Sequence, residues 1–268
     1  MNINFWIVDT FSEKRFNGSP SAVIFSDDIN DDHLMQKIAM ELNTPETIFV
    51  KRSDNGDFEV SCFSPFERGI SFGNGMFASA HIIFTEKMVS KDTINLIFGS
   101  RIFEIHRSDD EVITTRLSAP GVSKTTMSNE VIEAFNGENI VSVAESKGAL
   151  IVEIRSPRKV ANLDPNIDVL RHMEYALTIV TADTHYETDV DYDFCTRVFA
   201  PRLGVFEDSV TPLAHSRLAV YWQERIGKNE MVGCQKSRSN SYVNVRCADK
   251  YVYISGRNIT LTKGTLFL

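Results

Sequence analysis

Short apolar runs separated by turn residues dominate the first half of the chain. Runs that are rich in β-branched and aromatic side chains, and that end at Gly, Pro, Asn, Asp or Ser, predict strands. Such runs cover residues 3–8, 22–25, 47–50, 58–63, 94–98, 102–106 and 112–117. The pattern predicts a fold made largely of sheet.

Two stretches of the first half follow the period of a helix instead. In 31–42, the apolar residues Leu34, Ile38 and Leu42 recur every four positions, which places them on one helix face. The stretch 76–87 follows a glycine-containing turn and is apolar on nearly every face, so it predicts a helix that is buried on all sides.

The second half repeats this arrangement. Strands are predicted at 140–143, 149–154 and 176–181, and a helix at 193–199. A second largely apolar helix is predicted from 212 to 222, because Thr211 suits an N-cap and Pro212 suits the first helical position.

The spacing of the two apolar helices predicts two similar halves. Their starts, at 73 and 212, lie 139 residues apart. Pro120-Gly121 and the polar stretch that follows it are typical of a boundary between domains. We therefore expect an N-terminal half at 1–120 and a C-terminal half at 121–268, each a curved sheet around a central helix.

The composition excludes several classes of protein. With 28 Lys and Arg against 36 Asp and Glu, the net charge is −8, which disfavours binding to nucleic acid. No apolar run approaches the roughly 18 residues of a membrane span, and the start lacks the basic segment of a signal peptide. We expect a cytoplasmic protein that binds neither nucleic acid nor membrane. Four widely spaced cysteines, with no Cys-x-x-Cys pair, predict no metal site.

Each predicted apolar helix starts at a turn that could bind an anion. The first N–H groups of a helix have no partner within the helix, and the helix dipole favours negative charge there. Gly73 and Gly75 would let a ligand approach the first of these turns closely. The alternative is that Asn74 is only an N-cap and that the glycines only shape the turn.

Two carboxylates at the starts of predicted elements are candidates for acid/base chemistry. Glu46 stands at the start of a predicted strand, and Asp208 lies just ahead of the second apolar helix. A carboxyl group acts as general acid or base when burial brings its pKa near the working pH. Alternatively, Glu46 is a surface charge, and Asp208 only stabilises a helix N-terminus.

The residues 73–78 also match the loose dinucleotide fingerprint G-x-G-x-x-A. That fingerprint requires a strand before the turn, and a helix and a parallel strand after it. Hairpin-like strands are predicted after this helix, so the context disfavours binding of a nicotinamide or flavin cofactor.

Taken in order, the motifs resemble the phenazine-biosynthesis isomerase family, which is related to diaminopimelate epimerase. The matching blocks are VDTF at 8–11, FNGSPSAV at 16–23, PETIF at 45–49, FSP at 63–65, FGNG at 72–75, ASAH at 78–81, DF at 193–194, Arg197, FAPRLG at 199–204, ED at 207–208, VT at 210–211, AH at 214–215, LAVYW at 218–222, SG at 255–256 and GTL at 264–266. These blocks are spread from near the start of the chain to near its end, and the stretch of roughly 120–190 contributes nothing to the resemblance.

The resemblance implies an α+β fold of two pseudo-symmetric halves, each a β-barrel-like sheet around a central helix. It implies that the last strand crosses back to the first half, that the protein is a homodimer, and that it needs no cofactor. Glu46 would move a proton between carbons of a small carboxylate substrate, with Asp208 as its polar partner from the other half. The implied substrate-binding positions are Ser19, Gly73, Asn74, Gly75, Leu213 and Ala214.

Several substrate-facing positions depart from the family pattern. Asn74 replaces a histidine, Phe72 stands where the related epimerases have a catalytic cysteine, and Ser19 replaces an asparagine. Pro212 and Leu213 replace Gly-Ser. These departures leave two hypotheses, namely an isomerase or epimerase acting on a small carboxylate, and a catalytically degraded member that binds a ligand or a protein.

Overall fold

The computed structural model describes residues 2–25, 29–69, 73–137, 140–184, 189–238 and 240–268. The chain divides into two compact units, which are unit 1, with Met1–Arg116 and Ser255–Leu268, and unit 2, with Leu117–Ile254. The helices are α1 Asp32–Leu42, α2 Asn74–Thr85, α3 Asn129–Ala134, α4 Pro157–Ala161, α5 Ile167–His172 and α6 Pro212–Ile226.

The strands that the structure describes are short to medium in length. They are β1 Asn2–Thr10, β2 Ser19–Phe25, β3 Glu46–Arg52, β4 Phe58–Phe63, β5 Thr93–Phe98, β6 Arg101–Arg107, β7 Ile113–Ser118, β8 Ser123–Lys124, β9 Ile140–Ser146, β10 Ala149–Ile154, β11 Leu177–Asp183, β12 Phe194–Ala200, β13 Val205–Asp208, β14 Glu230–Lys236, β15 Asn240–Ala248, β16 Tyr251–Gly256 and β17 Asn258–Phe267.

In unit 1, strand β1 lies between β17 and β2 and runs antiparallel to both. The pairing continues with β2 parallel to β3, β3 antiparallel to β4, and β4 parallel to β5. Strand β6 then pairs antiparallel with both β5 and β7. The two parallel steps are the ones that contain a helix, because parallel neighbours need a crossover connection.

The two predicted helices of unit 1 are present, with the second shifted by two residues. Helix α2 begins at Asn74 and is buried along almost its whole length, and it packs against β1, β2, β3 and β17. Helix α1 buries only one face, where Met35 and Ile38 join a cluster that contains Phe49 and Phe63. The apolar pattern of each helix thus corresponds to its burial.

Unit 2 has the same order of strand pairing. Strand β9 is antiparallel to β10, β10 is parallel to β11, and β11 is antiparallel to β12. Strand β12 is parallel to β14, which is antiparallel to β15, and the helix between β12 and β14 is α6. The short strand β13 pairs with the far end of β12. The corresponding parallel step of unit 1 contains α2.

The helix predicted at 193–199 is wrong, since this segment forms β12. Its apolar residues at 194–195 and 198–199 imitate a helical spacing, but both faces of the strand are buried. A strand covered on both faces reads as a continuous apolar run and not as an alternation. Tertiary burial therefore overrides the local pattern here.

The four cysteines are free, buried thiols. Across the part of the chain that the structure describes, no group of three or more His, Cys, Asp or Glu side chains is arranged to hold a metal ion. In the same part, every helix is too short or too polar to cross a membrane.

Candidate active site

Glu46 lies at the first residue of β3, next to the start of α2. Its Oε2 accepts a hydrogen bond from the backbone N–H of Gly75, with an N–O distance of 2.5 Å. The side chain is half-buried, and the hydroxyl of Thr44 donates to the main-chain oxygen of Glu46 at 3.0 Å. The carboxylate is therefore held at a helix N-terminus, where negative charge is favoured.

Gly75 is required by this close approach. A Cβ at this position would overlap the Ile48 side chain and would lie 2.8 Å from Oε2 of Glu46. Only glycine lets the start of α2 pack this tightly against β3. The Gly75 N–H belongs to the turn that the sequence indicated as a candidate anion site, but in the structure it donates to the carboxylate of Glu46.

Asn74 is not the N-cap, so the capping alternative is wrong. The N-cap position is Gly73, and Asn74 is the first helical residue. Its Nδ2 donates to Oγ of Ser19 at 3.3 Å, and both side chains are buried. Ser19, Asn74, Gly75 and Glu46 therefore lie around one helix start, whereas Phe72 lies outside the described residues.

Cys62 belongs to the same region of unit 1, although no motif in the sequence distinguishes it from the other three cysteines. It lies on β4, directly opposite Ile48 of β3, and is buried. Burial raises the pKa of the Cys62 thiol well above its usual range, and the nearby charge of Glu46 raises it further. A thiol with a raised pKa stays protonated and is a poor nucleophile.

In unit 2, Asp208 ends the short strand β13. Its Oδ2 accepts a hydrogen bond from Oγ1 of Thr211 at 2.5 Å. Burial raises the pKa of Asp208 to about 6, against the opposing effect of the Thr211 hydroxyl and of the N–H groups of Ser209 and Val210. A carboxyl group with this pKa exchanges protons readily near neutral pH.

Gln235 is a further member of this cluster that sequence reasoning missed. It is fully buried on β14, and its Oε1 accepts from the Thr211 N–H at 2.9 Å. Its Nε2 donates to the main-chain oxygen of Asp208 at 2.8 Å. The amide therefore joins the end of β13 to the start of α6. The sequence offers no local signal for this role.

The start of α6 uses its own backbone donors. Thr211 is the N-cap and Pro212 the first helical residue, as predicted, but the Thr211 hydroxyl bonds to Asp208 and not to the helix. The N–H groups of Ala214 and His215 both donate to the Thr211 oxygen. Leu213 is half-buried, and its carbonyl accepts from Nη1 of Arg217 at 2.7 Å.

His215 follows the predicted binding residues on α6. It is fully buried, with Nδ1 3.0 Å from the Thr211 oxygen, and burial lowers its pKa to about 4. It is therefore neutral near pH 7 and adds no positive charge to the start of α6.

Comparison with known proteins assigns the family. The sequence profile of the phenazine biosynthesis-like protein family matches residues 8–264. An uncharacterised isomerase of Halalkalibacterium halodurans is 29% identical, and one of Pseudomonas aeruginosa is 30% identical, each over 100% of both chains. A solved structure from Clostridium difficile, described as a phenazine biosynthesis protein, superposes with a TM-score of 0.90 at 29% identity, covering 99% of this chain and 100% of that one.

These findings confirm the resemblance and the predicted fold class. Curated relatives that match over the full length are named isomerases, which assigns the enzyme class but no substrate. The chain is an isomerase and belongs to the phenazine biosynthesis-like family.

Proposed function

We propose that the protein is an isomerase or epimerase that moves a proton between carbons of a small carboxylate substrate, with Glu46 as general acid and base. The observation that supports this most directly is the hydrogen bond from the Gly75 N–H to Oε2 of Glu46. This bond holds the carboxylate at the N-terminus of α2. It also fixes the orientation of the group, which proton transfer requires.

Asp208 provides a second acid/base group in this proposal. With a pKa of about 6, it is mostly ionised at pH 7, but about one molecule in ten carries the proton. Proton exchange by two carboxyl groups requires no organic cofactor or metal. That the two carboxyls act on one substrate, and that the protein is a cytoplasmic homodimer, stay predictions.

Asn74 and Ser19 are proposed to bind the substrate and not to carry the proton. An amide and a hydroxyl donate and accept hydrogen bonds but do not titrate near pH 7. Their mutual bond at 3.3 Å is long and shared between neutral groups, so a substrate carboxylate can replace it without leaving a charge uncompensated. Gly73, Leu213 and Ala214 are proposed to complete the binding positions.

Incubation in deuterated water with a panel of small carboxylic acids tests this function. We expect deuterium to appear on carbon of at least one acid, as followed by proton NMR. Glu46→Gln should lower the exchange rate by about 10²–10⁴-fold, the usual contribution of a positioned acid/base group. The fold should persist, because the glutamine oxygen can still accept from Gly75.

Glu59→Gln is the matched control, because Glu59 is an exposed glutamate on β4. It should retain the wild-type exchange rate. Equal exchange in wild type and Glu46→Gln would contradict the role of Glu46, and absence of exchange from every acid would contradict the proposed proton transfer on a small carboxylate.

One observation favours the second candidate, a ligand-binding member that has lost activity. At the start of α6, Pro212 has no N–H and the Ala214 N–H already donates to the Thr211 oxygen. The start of α6 therefore offers fewer backbone N–H groups to an oxyanion that forms during the reaction than a helix start without proline would offer. This candidate predicts binding of a carboxylic acid by calorimetry, with no deuterium exchange in the bound acid.

A further inference from the structure

The strand that carries Asp208 has little backbone support. β13 has four residues, and Val205 and Phe206 are exposed. Its register with β12 consists of the pairs Val198–Asp208 and Ala200–Val205, with an irregularity between them. A short, exposed strand of this kind is expected to open easily unless side chains hold it.

An ion pair next to Asp208 supplies such a hold. Nε and Nη2 of Arg197, on β12, each donate to one carboxylate oxygen of Glu207, both at 2.8 Å. The side chains are only 12% and 16% exposed. The remaining guanidinium nitrogen, Nη1, donates to the main-chain oxygen of Leu163 at 2.5 Å.

This geometry is specific to arginine. A guanidinium bonds a carboxylate with two parallel bonds and still has a donor for a third acceptor, whereas a lysine ammonium cannot reproduce the planar fork. The Arg197 guanidinium also lies over the Phe199 ring, with 5.0 Å to its centroid. Arg197 is therefore fixed, and it fixes Glu207 in turn.

Glu207 and Asp208 are neighbours on a strand, so their side chains point to opposite faces. Glu207 faces Arg197, and Asp208 faces Thr211. The ion pair thus holds one face of β13 while the other face presents the carboxyl group of Asp208.

We propose that Arg197 and Glu207 are positioning residues, which hold β13 so that Asp208 stays within reach of Thr211 and of the reacting group. The claim that Asp208 is held near the reacting group rests on the proposed function. The claim that the ion pair holds β13 in position rests only on the geometry of that pair.

Two variants test the proposal, each of which breaks the paired bonds in a different way. Arg197→Lys keeps both charges, whereas Glu207→Gln removes the negative charge. The control is Glu153→Gln, which breaks another partly buried pair of unit 2, in which Nε of Arg225 lies 3.6 Å from Oε2 of Glu153. No member of that control pair lies on β13.

The first measurement needs no substrate. Amide hydrogen exchange of Ser209 and Val210, whose N–H groups stabilise the Asp208 carboxylate, is followed in the folded proteins. We expect exchange about tenfold faster in Arg197→Lys and in Glu207→Gln, and unchanged in Glu153→Gln, because only the first two release β13.

The second measurement uses the carboxylic acid that takes up deuterium fastest in the panel. We expect kcat to fall by about 10-fold to 100-fold in both variants, with little change in KM, because a displacement of about 1 Å misplaces a reacting group. Equal losses of kcat in Arg197→Lys and Glu207→Gln would show that the position of Asp208 causes the effect, since only Glu207→Gln alters the charge.

Unchanged amide exchange in folded Arg197→Lys would overturn the inference, whether or not the protein is active. A control that loses kcat as much as the two variants would also overturn it, because general destabilisation would then explain the loss. A wild type that exchanges no acid would defeat the proposed function instead, and the amide measurement would still decide whether the pair holds β13.

Discussion

The two buried helices start beside a carboxyl group in different ways. At α2, the carboxylate of Glu46 arrives from another strand and bonds to a backbone N–H of the helix itself. At α6, Asp208 comes from the segment just before the helix and bonds to the hydroxyl of the N-cap residue Thr211. The same order of strands and helices thus supports two kinds of carboxyl site.

The difference lies in what the chain must provide. A bond to a backbone N–H demands close approach, and therefore glycine at position 75. A bond to a threonine hydroxyl leaves room for side chains, and Pro212 and Leu213 occupy the equivalent turn. Substitutions at the start of α2 should therefore act by crowding the packed side chains. Substitutions at the start of α6 should act by changing the protonation of Asp208.

The largest effect is expected from Gly75→Ala. The new methyl group would overlap Ile48 and crowd Glu46, so the free energy of unfolding should fall by about 3 kcal/mol, the upper part of the range for overpacking. Urea denaturation measures this. Gly121→Ala is the control, because no atom lies within 4 Å of a Cβ there. Equal stability of the two variants would show that space at Gly75 is not limiting.

Asp208→Asn should make stability less dependent on pH. The pKa of Asp208 rises from 3.8 to about 6 on folding, so its stabilising contribution is full below pH 3.8 and is lost as the pH rises through 6. Asparagine cannot ionise. Relative to that of wild type, the free energy of unfolding of the variant should therefore rise by about 2 kcal/mol between pH 4.5 and 7.5, as measured by urea denaturation.

The exposed carboxyl of Asp168 provides the control for that measurement. Asp168→Asn should show no comparable gain across the same interval. A relative stability of Asp208→Asn that falls with rising pH would reverse the sign and contradict the raised pKa.

Thr211→Val should have the smallest effect. It removes the hydroxyl that stabilises the Asp208 carboxylate, so the pKa of Asp208 should rise further, as followed by carbon-13 NMR. The cost in stability at pH 7.5 should be about 1 kcal/mol. Thr44→Val is the matched change in unit 1, where the hydroxyl donates to the main chain of Glu46 and not to its carboxylate. A lower pKa of Asp208 in Thr211→Val would contradict the assignment.

Much of the fold could be predicted because period and capping are local properties. The strands at 58–63 and 149–154 have the predicted bounds, and α6 begins at Pro212 as its N-terminal signals indicate. Helices α3, α4 and α5 were missed, since five or six residues are too few to show a helical period.

The site was predictable as a set of positions and not as a set of contacts. Motif order pointed to Glu46, Gly75 and Asp208, but no local pattern reports that a strand residue accepts from a helix 29 residues later. Gln235 was missed for the same reason, because its partners are 24 and 27 positions away. Such contacts exist only once the strands are paired.

The pairing of β1 with β17 has a consequence for the synthesis of the chain on the ribosome. Thr10 and its partner Asn258 are 248 positions apart (258 − 10), whereas unit 2 is one uninterrupted stretch of chain. A ribosome that adds about 5 to 20 residues per second needs about 12 to 50 s to reach the partner of β1. During that time the nascent chain carries a strand edge that can bind a chaperone or another nascent chain. A premature stop codon inside β17 would make this temporary state permanent, and we expect aggregation through β1 while unit 2 still folds.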